Sequence, residues 1–151
     1  MSADTFVYVT YIATTPQRVW DALLEGALTR QYWQHENVSD WKPGSKWALV
    51  ADDAQHTVRH VGKVLECLPN KRLVMTWAEP SDAGDPAKHS RVAIDMELVG
   101  EMVRLTVTHD ELSPEMHRKI TSGWPRVLSS LKSFLETGRP LDVFGCSTST
   151  V

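Results

Sequence analysis

The chain has 151 residues, the length of one domain, and 16 Lys and Arg against 19 Asp and Glu give a formal net charge of −3. A chain of this size buries enough surface to fold without disulfides or a structural metal. Its slight acidity and lack of a basic run argue against nucleic-acid binding. No run of about 18 to 20 apolar residues could span a membrane. Half of the aromatic residues are tryptophan, with Trp 6, Tyr 3 and Phe 3.

The N-terminal residues carry neither a basic stretch nor a long apolar stretch, so we expect no signal peptide. The two cysteines, Cys67 and Cys146, lie far apart and outside any CxxC motif. These features predict a cytoplasmic protein in a reducing environment.

His56 and His60 have the spacing of a helical metal pair, but on a strand they lie about 13 Å apart. We therefore predict no metal and no cofactor.

The first predicted element is a strand over residues 6–12, which is rich in β-branched and aromatic residues. Thr15 and Pro16 then supply an N-cap hydroxyl and a proline at the first helical position. The helix that follows carries Trp20 in its apolar stripe and ends at Gly26. A second short helix over residues 27–33 is predicted directly after the glycine.

Five further strands are predicted over residues 46–50, 57–67, 73–77, 91–99 and 102–109, with one plain loop at residues 79–86. In the fourth of these, Val92, Ile94 and Met96 face one way while charged residues face the other. This alternation is typical of an antiparallel sheet with one buried face and one wet face. Arg59 and Lys63, on the second, are predicted to lie on the wet face.

The last predicted element is a long helix that begins after Ser113 and Pro114. Its apolar stripe includes Trp124, is interrupted at Pro125, and stops at Gly138. The helix is the only element large enough to cover the sheet, and a curved sheet closed over it leaves a cavity between the two. Residues 1–140 are thus predicted to form one domain, followed by a flexible tail over residues 141–151.

Four segments in this order resemble the Hsp90 ATPase activator homologue 1-like branch of the START-like (SRPBCC) superfamily. They are residues 12–20, the turn at residues 42–47, residues 62–77, and Gly123 with Trp124. The resemblance covers about residues 5 to 138. It implies an α+β helix-grip fold, in which a curved antiparallel sheet of about seven strands wraps around a long C-terminal helix. In many members an internal apolar cavity binds hydrophobic small molecules.

The candidate ligand-binding residues are the inward-facing and entrance positions of this fold, namely Trp33, Trp47, His60, Met75, Trp77, Met96, His109 and Trp124. Large aromatic walls with a few polar groups are typical of small-molecule pockets. Two alternatives stay open at this point. His109 either orients a ligand or is a strand-end histidine with a structural partner, and Trp33 and Trp47 are either cavity wall or plain core.

Three functions are compatible with these residues. The leading hypothesis is binding of a hydrophobic small molecule or lipid in the cavity between sheet and C-terminal helix. The second is a chaperone-associated interaction module, with a chaperone or a second copy of the chain as partner; this predicts an exposed apolar patch. The third is a cyclase-type or hydrolase-type enzyme that uses the inner histidines as bases. We assign no catalytic residue, because no nucleophile motif is present.

Overall fold

A computed structural model describes residues 4–143 of the chain and contains three helices and seven strands within that range. Their bounds are β1 (Asp4–Ile12), α1 (Pro16–Leu24), α2 (Gly26–Trp33), β2 (His35–Ser39), β3 (Lys46–Ala51), β4 (Val58–Leu68), β5 (Arg72–Trp77), β6 (Ser90–Val99), β7 (Met102–Leu112) and α3 (Pro114–Thr137). The predicted loop at residues 79–86 contains a short 3-10 turn at Pro80–Asp82. The predicted order of elements is confirmed.

The strands form one antiparallel sheet in the order β1-β7-β6-β5-β4-β3-β2. Together with the long C-terminal helix, this sheet confirms the α+β helix-grip fold. Strand β2 has no counterpart among the predicted elements, because Val38 is the one strongly apolar residue in its five. It lies at the edge of the sheet, where pairing with β3 alone defines it.

Helices α1 and α3 begin where the capping residues predict, whereas α1 ends at Leu24 rather than at Gly26, and Gly26 is instead the first residue of α2. The Thr15 hydroxyl accepts a hydrogen bond from the N–H of Arg18, and the Ser113 hydroxyl accepts one from Met116 at the start of α3. Helix α3 ends at Gly138, whose φ of 81° is the left-handed conformation that glycine adopts at low cost. Pro125 lies inside α3 and cannot donate to the carbonyl one turn earlier, yet the helix continues through it.

The core lies between the inner face of the sheet and α3, and α1 and α2 close one end of it. One close approach across the sheet depends on a glycine. Trp47 pairs with Gly62 across β3 and β4, and its indole N–H donates to the carbonyl of Thr76 over 2.7 Å. A Cβ at Gly62 would lie 2.0 Å from that carbonyl oxygen. Only glycine therefore permits this crossing.

The predicted tail falls mostly on residues outside those described. Its first three residues pack against α3 and α2. The N–H of Leu141 donates to the Ser130 hydroxyl over 2.9 Å, and the same hydroxyl donates to the carbonyl of Tyr32 over 2.7 Å. Val143 is buried. These contacts concern residues 141–143 alone, and the predicted boundary at residue 140 stays a prediction.

Candidate functional site

A cavity of about 770 Å³ lies between α3 and the half of the sheet formed by β3, β4 and β5. Its inner wall is mostly apolar, and charged side chains stand at its rim. The helix contributes its residues at helical spacing, so one face of α3 is turned toward the space. The lining residues are Trp33, Gln34, His35, Leu49, Ala51, Asp52, Asp53, Arg59, His60, Trp77, Met116, Lys119, Ile120, Gly123, Trp124 and Val127.

Three tryptophans from three different elements form a continuous aromatic wall. The ring centroids of Trp33 and Trp124 lie 5.7 Å apart, and those of Trp77 and Trp124 lie 5.5 Å apart. The rings are tilted by about 50° to one another, within the range that aromatic pairs favour. All three side chains are buried in the core. Only a small part of each ring is exposed to the cavity, 6% of Trp33 and 4% each of Trp77 and Trp124, so the wall consists of aromatic side chains that are already ordered.

Gly123 leaves the helix side of the cavity open. An added Cβ at this position would have no atom within 4 Å, although the residue lies in the cavity wall. A glycine inside a helix costs about 0.5 to 1 kcal/mol relative to alanine. The backbone of α3 does not need this glycine for steric reasons, and its effect is to enlarge the space beside Trp124.

His60 is held in the wall by a carboxylate. Its Nε2 lies 3.2 Å from Oε2 of Glu79, and the same carboxylate oxygen lies 3.8 Å from Nζ of Lys119. The imidazole ring lies against Trp77, with centroids 4.6 Å apart. Burial lowers the pKa of His60 to about 4, although the carboxylate of Glu79 acts to raise it. At neutral pH His60 is therefore an uncharged ring, and its Nδ1 has no hydrogen-bond partner within residues 4–143.

Arg59 lies beside His60 because of a bulge in β4. Leu49 pairs with His60, but the next residue, Val50, pairs with Val58, so Arg59 is an extra residue without a partner in β3. A bulge changes the direction of the side chain that it carries. As a result Arg59 and His60 both line the cavity. Simple alternation predicts Arg59 on the wet outer face; in the structure Arg59 is exposed, as expected of a solvated side chain, and also borders the cavity.

His109 lies behind the aromatic wall rather than in it. It is fully buried, and the indole N–H of Trp124 donates to its Nδ1 over 3.0 Å. Nδ1 is therefore the acceptor, so the proton resides on Nε2 and donates to the hydroxyl of Ser90 over 2.7 Å. The Ser90 hydroxyl in turn donates to the carbonyl of Trp77 over 3.1 Å. This chain fixes the tautomer of His109 and the position of Trp124 at once.

Burial lowers the pKa of His109 to about 3, with a smaller contribution from His60. Both ring nitrogens have partners, so His109 has no free lone pair to offer a ligand. Of the two alternatives for this residue, the geometry matches a histidine with structural partners. Its role is to position Trp124, which itself faces the cavity.

Of the eight candidate residues, Trp33, His60, Trp77 and Trp124 line the cavity. Trp47 does not, because its indole lies behind Trp77, at a centroid distance of 5.2 Å, and is fixed by its bond to Thr76. The buried Met75 and Met96 lie on β5 and β6, in the part of the core that does not reach the cavity. Met75 adjoins a void of only about 10 Å³ among Leu23, Tyr32 and Leu128. Helices α1 and α2 thus fill the end of the sheet where these methionines lie.

Three residues of this region were not candidates. The sequence pattern predicts Arg59 on the outer face and Glu79 in a plain loop, and it gives Gly123 only as part of a family motif. The contact of Glu79 with His60 joins residues far apart in sequence and has no local signal. A helical glycine on an apolar stripe is a usable signal for Gly123, since glycine is costly there without a reason.

Within the described chain no three His, Cys, Asp or Glu side chains come close enough to hold a metal ion. Between residues 4 and 143 no helix is both long and apolar enough to cross a membrane. The cavity offers aromatic surface, a neutral imidazole and a guanidinium, groups that bind organic molecules.

The fold and the cavity together define an α+β helix-grip protein with an aromatic-lined space between its sheet and its C-terminal helix. The family model described as "Activator of Hsp90 ATPase homolog 1-like protein" matches residues 13–136. The chain belongs to this family. Among curated proteins none matches the sequence.

Solved structures share the fold at low sequence identity. MLL2253 from Mesorhizobium loti is 25% identical, with a TM-score of 0.71 over 87% of this chain and 96% of that one. The Aha1 dimer from Colwellia psychrerythraea is 20% identical, with a TM-score of 0.70 over 89% and 98%. PFC0360w, an HSP90 activator from Plasmodium falciparum, is 18% identical, with a TM-score of 0.69 over 87% and 95%.

Proposed function

We propose that the protein binds a hydrophobic small molecule in the cavity between α3 and the sheet. The observation that carries this proposal is the wall of Trp33, Trp77 and Trp124 around a space of about 770 Å³. The volume is in the range of small-molecule sites, and the inner surface is mostly apolar. Burial of a ligand's apolar surface there contributes about 25 cal/mol per Å² before the entropy cost of binding is counted.

The wall is held in place before a ligand arrives. The indole of Trp124 is bonded to His109, and the ring of Trp77 lies against Trp47 and His60. A site held in this way loses little conformational freedom on binding. A preorganised wall of this kind supports a binding role for the cavity.

The test is a fluorescence titration with N-phenyl-naphthylamine, a neutral aromatic probe that brightens in apolar surroundings. Gly123→Leu adds a side chain into open cavity space, while Ser122→Leu adds the same side chain to the neighbouring exposed position of α3. We expect Gly123→Leu to weaken probe binding by about tenfold or more, equivalent to about 1.4 kcal/mol. Ser122→Leu should leave it unchanged. Equal affinities for both variants and the unmodified protein would place the probe elsewhere and contradict the proposal.

A second candidate is an interaction with a chaperone of the Hsp90 class, or with a second copy of the chain. It is favoured by membership in a family described by Hsp90 activation, and by the printed descriptions of the Colwellia dimer and the Plasmodium activator. Val7, Val9 and Tyr11 form an exposed apolar row on β1. Such a row is a possible contact surface. Stimulation of an Hsp90 ATPase by this protein, abolished by Val9→Lys, would support the chaperone interaction, and no stimulation would exclude it; a monomer in analytical ultracentrifugation would exclude the second copy.

A further inference from the structure

The chemical class of the ligand follows from the charged side chains of the cavity. We propose that the cavity takes aromatic molecules that carry one anionic group, a carboxylate or a sulfonate, and that Arg59 binds that group. This inference rests on the proposed function, because it assumes that the aromatic body of the ligand lies in the cavity. It adds the polar end of the ligand and the residue that selects it.

The bulge in β4 is the first observation. A regular strand would place Arg59 on the outer face with Lys63, away from the cavity; in the structure Arg59 is exposed but borders the cavity. The extra residue between the pairs Leu49–His60 and Val50–Val58 instead brings Arg59 to the cavity. Bulges often redirect a side chain next to a binding site. Arg59 therefore borders the same space as the aromatic wall and keeps its side chain accessible from solvent.

The second observation is that the donors of Arg59 are not used. Within residues 4–143 the Arg59 side chain makes no hydrogen bond, and no carboxylate lies within ion-pair distance of it. The carboxylate of Asp53, which interacts with Arg59 electrostatically, accepts hydrogen bonds from the N–H and the hydroxyl of Thr57, each over 3.0 Å. A guanidinium offers five donors in a planar fork that matches a carboxylate or a sulfonate.

Lys119, the other cation of the cavity wall, already has two carboxylate partners. Nζ of Lys119 lies 3.8 Å from Glu79 and 3.8 Å from Glu115, so it stands between two acids. The two histidines of the wall do not compete either. Burial lowers the pKa of both His35 and His60, which keeps these rings uncharged at neutral pH. Arg59 is thus the one wall cation in the described chain that is ready to pair with a ligand.

Asp52 and Asp53 also stand at the rim, so the ionised side chains of the wall cancel in net charge. A general positive field does not attract the anion. Selection has to come from direct contact with the guanidinium fork, which depends on the shape of the acid group as well as its charge. A neutral ligand of the same shape should be indifferent to Arg59.

Two probes with one ring system test this. Anilinonaphthalene sulfonate is the sulfonated form of N-phenyl-naphthylamine, so the pair differs only in the anionic group. Arg59→Gln should weaken binding of the sulfonated probe by about tenfold, the effect of one charge-assisted contact. The same variant should change the affinity for the neutral probe by less than about twofold. Lys63→Gln removes a cation from the outer face of the same strand and should change neither affinity.

The outcomes separate this proposal from the function on which it rests. If Arg59→Gln leaves both affinities unchanged, or weakens both equally, the role of Arg59 is refuted while cavity binding stands. If Gly123→Leu fails to weaken the neutral probe, cavity binding itself is refuted. If the unmodified protein binds neither probe, both proposals fall.

Discussion

Replacement of His109 tests whether the buried chain of hydrogen bonds holds the aromatic wall in place. His109→Phe keeps a flat ring in the core but removes both ring nitrogens. The indole N–H of Trp124 then loses its acceptor in a fully buried position, and the Ser90 hydroxyl loses a donor. An unpaired buried donor costs about 1 to 3 kcal/mol, and some misfit of the larger ring adds to this. We expect the free energy of unfolding to fall by about 2 to 4 kcal/mol at neutral pH.

The same variant has a pH signature with a definite sign. Burial lowers the pKa of His109 to about 3 in the folded protein, against 6.5 for an unperturbed histidine. Between these values the unfolded chain binds one proton more, so stability rises with pH by about 1.4 kcal/mol per unit. The contribution of His109 is fully present above pH 6.5 and is lost as the pH falls toward 3. Phenylalanine removes this dependence.

The defect of His109→Phe should therefore shrink by about 2 kcal/mol between about pH 7.5 and about pH 5.0. Urea unfolding followed by circular dichroism at both pH values measures it. Ser90→Ala is the matched control, because it also breaks the chain but leaves the titrating ring in place. Ser90→Ala should lower the free energy of unfolding by about 1 to 3 kcal/mol and leave its pH dependence nearly unchanged. A defect of His109→Phe that is the same at both pH values would refute the buried neutral histidine.

Two glycines have opposite predicted effects. Gly62→Ala should lower the free energy of unfolding, measured in urea, by about 3 kcal/mol or more. The added Cβ would lie 2.0 Å from the Thr76 oxygen and 2.6 Å from the indole nitrogen of Trp47. A change below about 1 kcal/mol would show that the strands separate easily. Gly123→Ala should raise the free energy of unfolding by about 0.5 to 1 kcal/mol, because alanine favours the helix and its Cβ meets no atom within 4 Å. A destabilised variant would contradict the open space beside Gly123.

Most of the fold follows from local signals in the sequence. Thr15 with Pro16 and Ser113 with Pro114 mark the starts of α1 and α3, and Gly138 marks the end of α3. These signals act through the residues next to them, so a single sequence contains them. Strand β2 lacks such a signal because its pairing partner, not its own composition, defines it.

The sequence predicts the candidate site less completely than the fold, because the site depends on the register of the strands and on contacts between residues far apart in sequence. Alternation gives the correct inward direction for both His60 and His109. Alternation does not show that the His60 ring lies in the cavity wall while the His109 ring lies behind Trp77 and Trp124. The bulge at Arg59 brings this exposed residue to the border of the cavity, and only the pairing of β3 with β4 reveals the bulge.

The tryptophans show the same limit. Trp20 is buried on α1 as predicted, and Trp33, Trp77 and Trp124 line the cavity. Trp47 differs only because the strand opposite it has a glycine, which lets its indole cross to the Thr76 carbonyl. Large side chains of one type therefore serve as wall or as core according to the residue that they face.

The most direct test of the account uses the indole N–H resonances of the six tryptophans in a nitrogen-proton correlation spectrum. On addition of N-phenyl-naphthylamine, we predict the largest shifts for Trp33, Trp77 and Trp124, which line the cavity, and negligible shifts for Trp20 and Trp41. Single Trp→Phe variants assign the signals. Shifts confined to Trp20 or Trp41, or no shift at a saturating probe concentration, would contradict ligand binding between α3 and the sheet.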